Sequence, residues 1–372
     1  MKKKQSLYAR LLARIAQFQV DNPIIVLVTI FILTLLFLIP AQDVRTVASL
    51  EQMMPRDTPE IAAFNDLRDA GLGRDAIAIL VRIDTDSVYI RDNIHGADLD
   101  AYVLRTEHLL MQESSVLRVE HHLNNPRHLH TNQDETEVLI LAYTDAAADN
   151  DRMQRLAQRT QEIAHQGVPP GTSVHLTGTP IIQQHLGELI QQDQQTTRWW
   201  STVFVLAITA LLFGLSSSVI PIVTVTLSVT WLYGTMGLVG LPISTLAGGV
   251  AAMVIGIGID FAIHLMNKFK FERKQGLSIA QAIQQAVVHT GTALSVTALT
   301  TGAAFLSFLI GVMPEMGRFG ILMALGIFYA LILTLFALPA LLVLEERIIA
   351  YWSKKARFGI EKEYKLTKEE SS

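Results

Sequence analysis

The sequence predicts a multi-pass α-helical membrane protein of six spans, with one large α+β domain inserted between the first span and the second. Three observations carry this expectation. Half of the 372 residues are hydrophobic and only 17% are charged, against about a quarter in soluble proteins, and the mean hydropathy is +0.34. The deficit of charge is local: residues 43–198 are polar and rich in Asp, Gln and His, while the segments on either side are almost charge-free. Six apolar runs fit a hydrocarbon core of about 30 Å, which takes around 20 helical residues. A net charge of −4 argues against nucleic acid as a partner. The absence of cysteine excludes disulfides, thiol catalysis and Cys-based metal sites.

Residues 1–22 read as an amphipathic N-terminal helix on the inner membrane surface, with apolar residues of LYARLLARIAQFQV at helical spacing around Arg10 and Arg14. A simple extension of the first span is the alternative, opposed by the break at Asn22-Pro23. The first span, residues 23–40, is longer than the apolar core of a signal peptide and is read as retained. Residues 41–198 form the aqueous domain. Spans two to six follow within residues 199–344, at 199–215, 219–238, 244–267, 291–312 and 319–344. A charged tail, residues 345–372, closes the chain.

Basic residues orient the spans. Lys2, Lys3, Lys4, Arg10 and Arg14 precede span one, Lys268, Lys270, Arg273 and Lys274 join spans four and five, and Arg347, Lys354, Lys355 and Arg357 follow span six. With six spans these segments fall on one side, the cytoplasmic side. Both termini are then inside, and the large domain is periplasmic or extracellular, with the protein in the cytoplasmic (inner) membrane.

Within that domain, alternation and apolar runs place strands at residues 76–83, 116–121, 138–143 and 173–177. Helical patterns cover residues 97–112 and 149–166, the latter stopped by GVPPG. The order β-α-β-β-α-β is that of a ferredoxin-like fold. A helix at 59–70 precedes it and another at 180–196 leads to span two. Nine of the 11 histidines lie between His95 and His185, four of them in HHLNNPRHLH (His121, His122, His128, His130). Without a recognisable ligand spacing, this reads as a solvated loop and no metal or other cofactor is expected, although imidazole would suit zinc or copper.

Asp260, in GIGIDFAIHLMNK, is the acidic residue deep within a span. A charged side chain there costs about 2.5–3.5 kcal/mol on insertion scales, so Asp260 is a functional candidate by default. The alternative is a structural role, pinning helix packing through a hydrogen bond. His264 follows at i+4 and Asn267 at i+7 on the same face, forming a possible proton path. Thr297, Thr300 and Thr301 of span five share a face and offer hydroxyls, although such hydroxyls often bond only their own backbone. Small residues before Asp260, among them Gly256 and Gly258, would let a neighbouring helix approach closely. No phosphate-binding loop is present, so ATP is not expected to drive the protein.

One span, a large outer domain, five further spans and GIGIDFAIH in the fourth resemble half of a resistance–nodulation–division (RND) transporter, nearest the MMPL and hydrophobe-exporter branch. The resemblance extends over essentially the whole chain, in LTGTPIIQQHLGELIQQD, GIGIDFAIHLMNKFKFE, ALTTGAAFLSF and GRFGILMALGIFYALILTLFALPALL. It implies a secondary active transporter, not an enzyme: an efflux protein exchanging protons for lipids or other hydrophobic molecules. Asp260 would bind the proton, with His264, Thr300 and Thr301 as relay partners. Members of this branch often have Asp-Tyr where this chain has Asp260-Phe261. They typically carry two six-span halves, so a homodimer or pairing with a second RND half is expected. A SecD/SecF-like accessory factor in protein translocation and a non-transporting, sterol-sensing-like scaffold are the alternatives.

Overall fold

The computed structural model describes residues 7–44, 46–47, 59, 63, 66, 75–84, 96–125, 136–144, 150–244 and 246–370. The helix expected at residues 59–70 lies largely outside these, as do His95, His128 and His130. The chain divides into two units. One combines Met1–Arg45 with Asp193–Ser372 and is helical; the other is Thr46–Gln192 and holds the sheet.

In chain order, α1 (Leu7–Asp21) and α2 (Pro23–Ala41) come first. The sheet unit follows with β1 (Asp75–Ile83), α3 (Gly96–Leu110), β2 (Val116–Glu120), β3 (Glu137–Thr144), α4 (Asn150–His165) and β4 (Thr172–Gly178). Helix α5 (Thr179–Phe213) starts in the sheet unit and ends in the helical one. Then come α6 (Leu215–Val239), α7 (Val250–Lys274), α8 (Ile279–Gln285), α9 (Gly291–Leu306) and α10 (Pro314–Glu370).

In the sheet unit the strands run antiparallel in the order β2-β3-β1-β4. Alternation decides which face is inward: Ile77, Ile79 and Val81 of β1 and Val138, Ile140 and Ala142 of β3 are all buried. Tyr102, Val103 and Leu110 of α3 and Met153, Leu156 and Ile163 of α4 complete that core. The Tyr102 hydroxyl donates to the carbonyl of Ala164, joining α3 to α4. Burial of the phenol raises its pKa above the usual 10.0.

The histidines at the end of β2 are not a solvated loop. His121 is fully buried. Its Nδ1 accepts from the Leu123 backbone N–H at 3.2 Å, so Nε2 carries the proton toward Glu107 Oε2 at 3.0 Å. Asn124 completes the junction, donating to Glu107 Oε1 and to the Val119 carbonyl. His122 pairs with Asp100 at 3.0 Å. The run of imidazoles reads as solvated in sequence because it surrounds turn residues; the fold instead spends two of them on tying β2 to α3. Among the described residues no group of three His, Asp or Glu side chains could hold a metal ion.

In the helical unit, five helical segments are long and apolar enough to cross a membrane among the described residues: Pro23–Ala41, Ser218–Val239, Leu246–Lys274, Ile279–Ile310 and Pro314–Tyr351. The other expected span falls on the C-terminal part of α5, where the apolar run begins only after Arg198 and a Gln-rich stretch. Helix α2 packs on α6 through Phe37, whose ring stacks on Trp231 at 5.3 Å. The Trp231 indole donates to Thr34. Gly234 and Gly237 of α6 lie directly against Phe37 and the Pro40 carbonyl, where a side chain would collide with backbone.

The chain breaks at Asn22, so α1 is not an extension of α2. Its Leu12 and Ala16 enter the same core as Phe261, Leu265 and Leu338. Buried Gln19 donates from Nε2 to the Leu335 carbonyl at 2.8 Å. That carbonyl would bond the N–H of residue 339 in a regular helix, and residue 339 is proline. Gln19 therefore satisfies an acceptor that Pro339 orphans. The opposite side of α1 leaves Leu7, Leu11 and Phe18 exposed.

Candidate functional site

Helix α7 is built from two contrasting faces. Ile255, Ile259, Ala262, Leu265, Met266 and Phe269 are buried against neighbouring helices. Gly258 belongs to this side: a Cβ there would sit 3.1 Å from Ala330 Cβ on α10 and 3.4 Å from the Val225 methyls on α6. The other face carries Gly256, Asp260, His264, Asn267 and Phe271, at spacings of three to four, and all five are exposed. The helix thus sorts its polar residues onto a stripe whose side chains remain exposed.

Across that stripe lies the segment from α8 into α9. Ser278 caps α8, its hydroxyl accepting from the Gln281 N–H while Gln281 reaches back to Ser278. A π-helical turn, Ala286–Thr290, joins α8 to α9. The two segments bound a pocket of about 840 Å³. Its polar lining is Asp260, His264, Asn267 and Lys268 from α7, with His289, Thr290 and Thr297 opposite; Ile257, Phe261, Phe271 and Leu294 supply apolar wall.

Asp260 and His264 therefore meet in one pocket, at i and i+4. Among the described residues neither forms a hydrogen bond or an ion pair, so Asp260 does not pin a helix contact within this chain. Lys268 is already engaged, 2.6 Å from Glu272 and over the Phe271 ring.

The threonines divide differently from the sequence expectation. Thr297 lines the pocket, whereas Thr300 and Thr301 do not. Thr300 donates its hydroxyl proton to the carbonyls of Val296 and Thr297, and Thr297 donates to Ala293. These are the local backbone bonds that hydroxyls in apolar helices commonly form. Gly256 stands on the open face with nothing within 4 Å of a would-be Cβ. His289 escaped the sequence reading; its signal was that it and His264 are the two histidines outside residues 95–185.

The MMPL family model matches residues 53–362. The chain belongs to the MMPL family. That places it among membrane transporters of the RND superfamily. MJ1562 of Methanocaldococcus jannaschii, named as a membrane protein, is 31% identical over 368 residues, covering 91% of this chain and 95% of its own length. The sulfolipid-1 exporter MmpL8 of Mycobacterium tuberculosis is 24% identical over 325 residues, 83% of this chain. The match covers 29% of MmpL8, so this chain spans less than a third of that relative.

Proposed function

We propose that this MMPL chain exports lipids or other hydrophobic molecules across or out of the cytoplasmic membrane, driven by proton influx through Asp260. The observation that carries the reading is the carboxylate itself: among the described residues Asp260 stands without a partner, in a pocket lined by both polar and apolar side chains, on a helix otherwise long and apolar enough to span a bilayer. A fixed structural carboxylate would be paired; one that must take up and release protons needs access. The substrate class rests on the kinship with the sulfolipid exporter.

The open face of α7 supports assembly with a second RND half, most simply a second copy of this chain. Facing lipid, Asp260 would carry the insertion cost of about 2.5–3.5 kcal/mol; a partner helix over the stripe removes it. Gly256 leaves room for such a helix. We further read the C-terminal part of α5 as span two of six. On that topology residues 1–22 and 345–372 are cytoplasmic, and residues 41–198 form an extracytoplasmic, porter-like domain. Its β-α-β-β-α-β order and β2-β3-β1-β4 sheet support a ferredoxin-like fold. The comparisons favour neither the SecD/SecF-like reading nor the scaffold.

The test is transport by the full chain in proteoliposomes, with a fluorescent lipid as cargo and an imposed proton gradient. Wild type should move cargo only with the gradient and Asp260→Asn should not. Equal gradient-driven transport by Asp260→Asn would sink the mechanism.

A further inference from the structure

We propose that His289 is a second proton-binding side chain of the Asp260 pocket, receiving with His264 the proton that Asp260 releases. The inference rests on the reading of Asp260 as the residue that loads the proton and extends it to a residue on another helical segment.

Three observations converge. The chain holds 11 histidines, and the two lying outside residues 95–185, His264 and His289, line the same pocket. Both are exposed, and among the described residues neither ring makes a hydrogen bond or ion pair. His121 and His122 of the sheet unit are, by contrast, paired with Glu107 and Asp100. His289 lies in the π turn, where Ala286 and Val287 are fully buried while His289 stands exposed; such turns concentrate at functional sites.

The surroundings of His289 are simple. Helix α7 presents Asp260, His264 and Lys268, the last already paired with Glu272. Helices α8 and α9 carry no acidic or basic side chain. From α1 the bundle side offers Leu12, Ala16 and Gln19, with Tyr8 hydrogen-bonded to Ser295. Asp260 is thus the carboxylate in the pocket. The carboxyl O–H breaks, its proton passes to an imidazole ring nitrogen, and a carboxylate facing an imidazolium remains. The imidazolium then yields the proton to water at the Lys268 end. Imidazole suits this because it is the side chain that ordinarily changes charge between about pH 5 and 8.

Nitrogen-15 histidine labelling of the full chain in nanodiscs tests the assignment, followed by NMR from about pH 5 to 9. Histidine-to-glutamine variants at positions 264 and 289 identify the two signals. Both should titrate, and the His289 midpoint should differ between wild type and Asp260→Asn. The nine other histidines should stay in place, which certifies the fold. A His289 signal that does not titrate, or one whose midpoint is the same in Asp260→Asn, overturns the proposal. Gradient-driven transport of the same variant separates the two ideas. Loss of transport with an unmoved His289 leaves Asp260 as driver and removes His289. Retained transport removes Asp260 as driver and, with it, the acceptor role of His289.

Discussion

His121 in the sheet unit and the His264–His289 pair in the helical unit are the same side chain in opposite situations. His121 is fully buried, with both ring nitrogens engaged and its Glu107 partner further held by Asn124. His264 and His289 share a pocket with a carboxylate, and among the described residues all three are unpaired. A buried polar group left without partners costs about 1–3 kcal/mol, so the sheet unit satisfies both nitrogens of His121. The helical unit leaves polar groups open where α7 faces away from its own bundle. Polar satisfaction therefore distinguishes these two settings where residue type does not.

The largest expected break in this comparison is Asp260→Asn, which should reduce gradient-driven transport to background while the detergent-solubilised protein keeps its unfolding temperature. The converse change is His121→Ala. It leaves Glu107 Oε2 and the Leu123 N–H without their partner and opens a void, and should destabilise the sheet unit by about 2–4 kcal/mol, measured by denaturant unfolding. Transport per folded molecule should be unaltered.

A pair of glycines sharpens the contrast between the two faces of α7. Gly258→Val should cost about 1–3 kcal/mol through overpacking against Ala330 and Val225, visible as a lowered unfolding midpoint. Gly256→Val meets nothing within this chain. It should leave the monomer's unfolding unchanged and weaken self-association, read by mass analysis of the intact complex in lipid. Dimers as abundant as in wild type would place the partner elsewhere.

Smaller effects follow at two hydrogen bonds. Gln19→Leu leaves the Leu335 carbonyl orphaned beside Pro339 and should cost about 1 kcal/mol, with faster hydrogen exchange in α1. Tyr102→Phe loses the bond to Ala164, again about 1 kcal/mol. Because burial raises the Tyr102 pKa, the folded state holds this proton more tightly than the unfolded one. Its contribution is full below pH 10 and lost as pH rises through the folded value. Tyr102→Phe should therefore flatten the alkaline loss of stability that wild type shows.

Much of the architecture was legible in the order of residues. Alternating apolar residues at 76–83 and 138–143 marked strands that the structure extends by a residue at one or both ends. The GVPPG stop ended α4, and Asn22-Pro23 separated α1 from α2. That Asp260 and His264 would share a face was legible, because one carboxylate in a long apolar helix is costly and i+4 spacing is a local property. His289 was not, since nothing local ties it to α7, some 25 residues away in sequence. Nor could spacing distinguish Thr297 from Thr300 and Thr301, because all three share a face and only the neighbouring helix selects among them. The first two histidines of HHLNNPRHLH misled for the same reason: whether an imidazole is solvated depends on a distant partner, for His121 Glu107.

By itself, then, the sequence determined the segregation of the chain into apolar helices and a polar α+β insert, since hydropathy and periodicity act over a single turn or strand. It also determined which carboxylate is costly. The tertiary structure alone decided that α7 buries Gly258 against α10 and leaves Asp260 open. It likewise decided that His289 joins Asp260 and that Gln19 answers Pro339. These outcomes depend on which faces meet when helices pack, a property of pairs of segments that no single segment encodes.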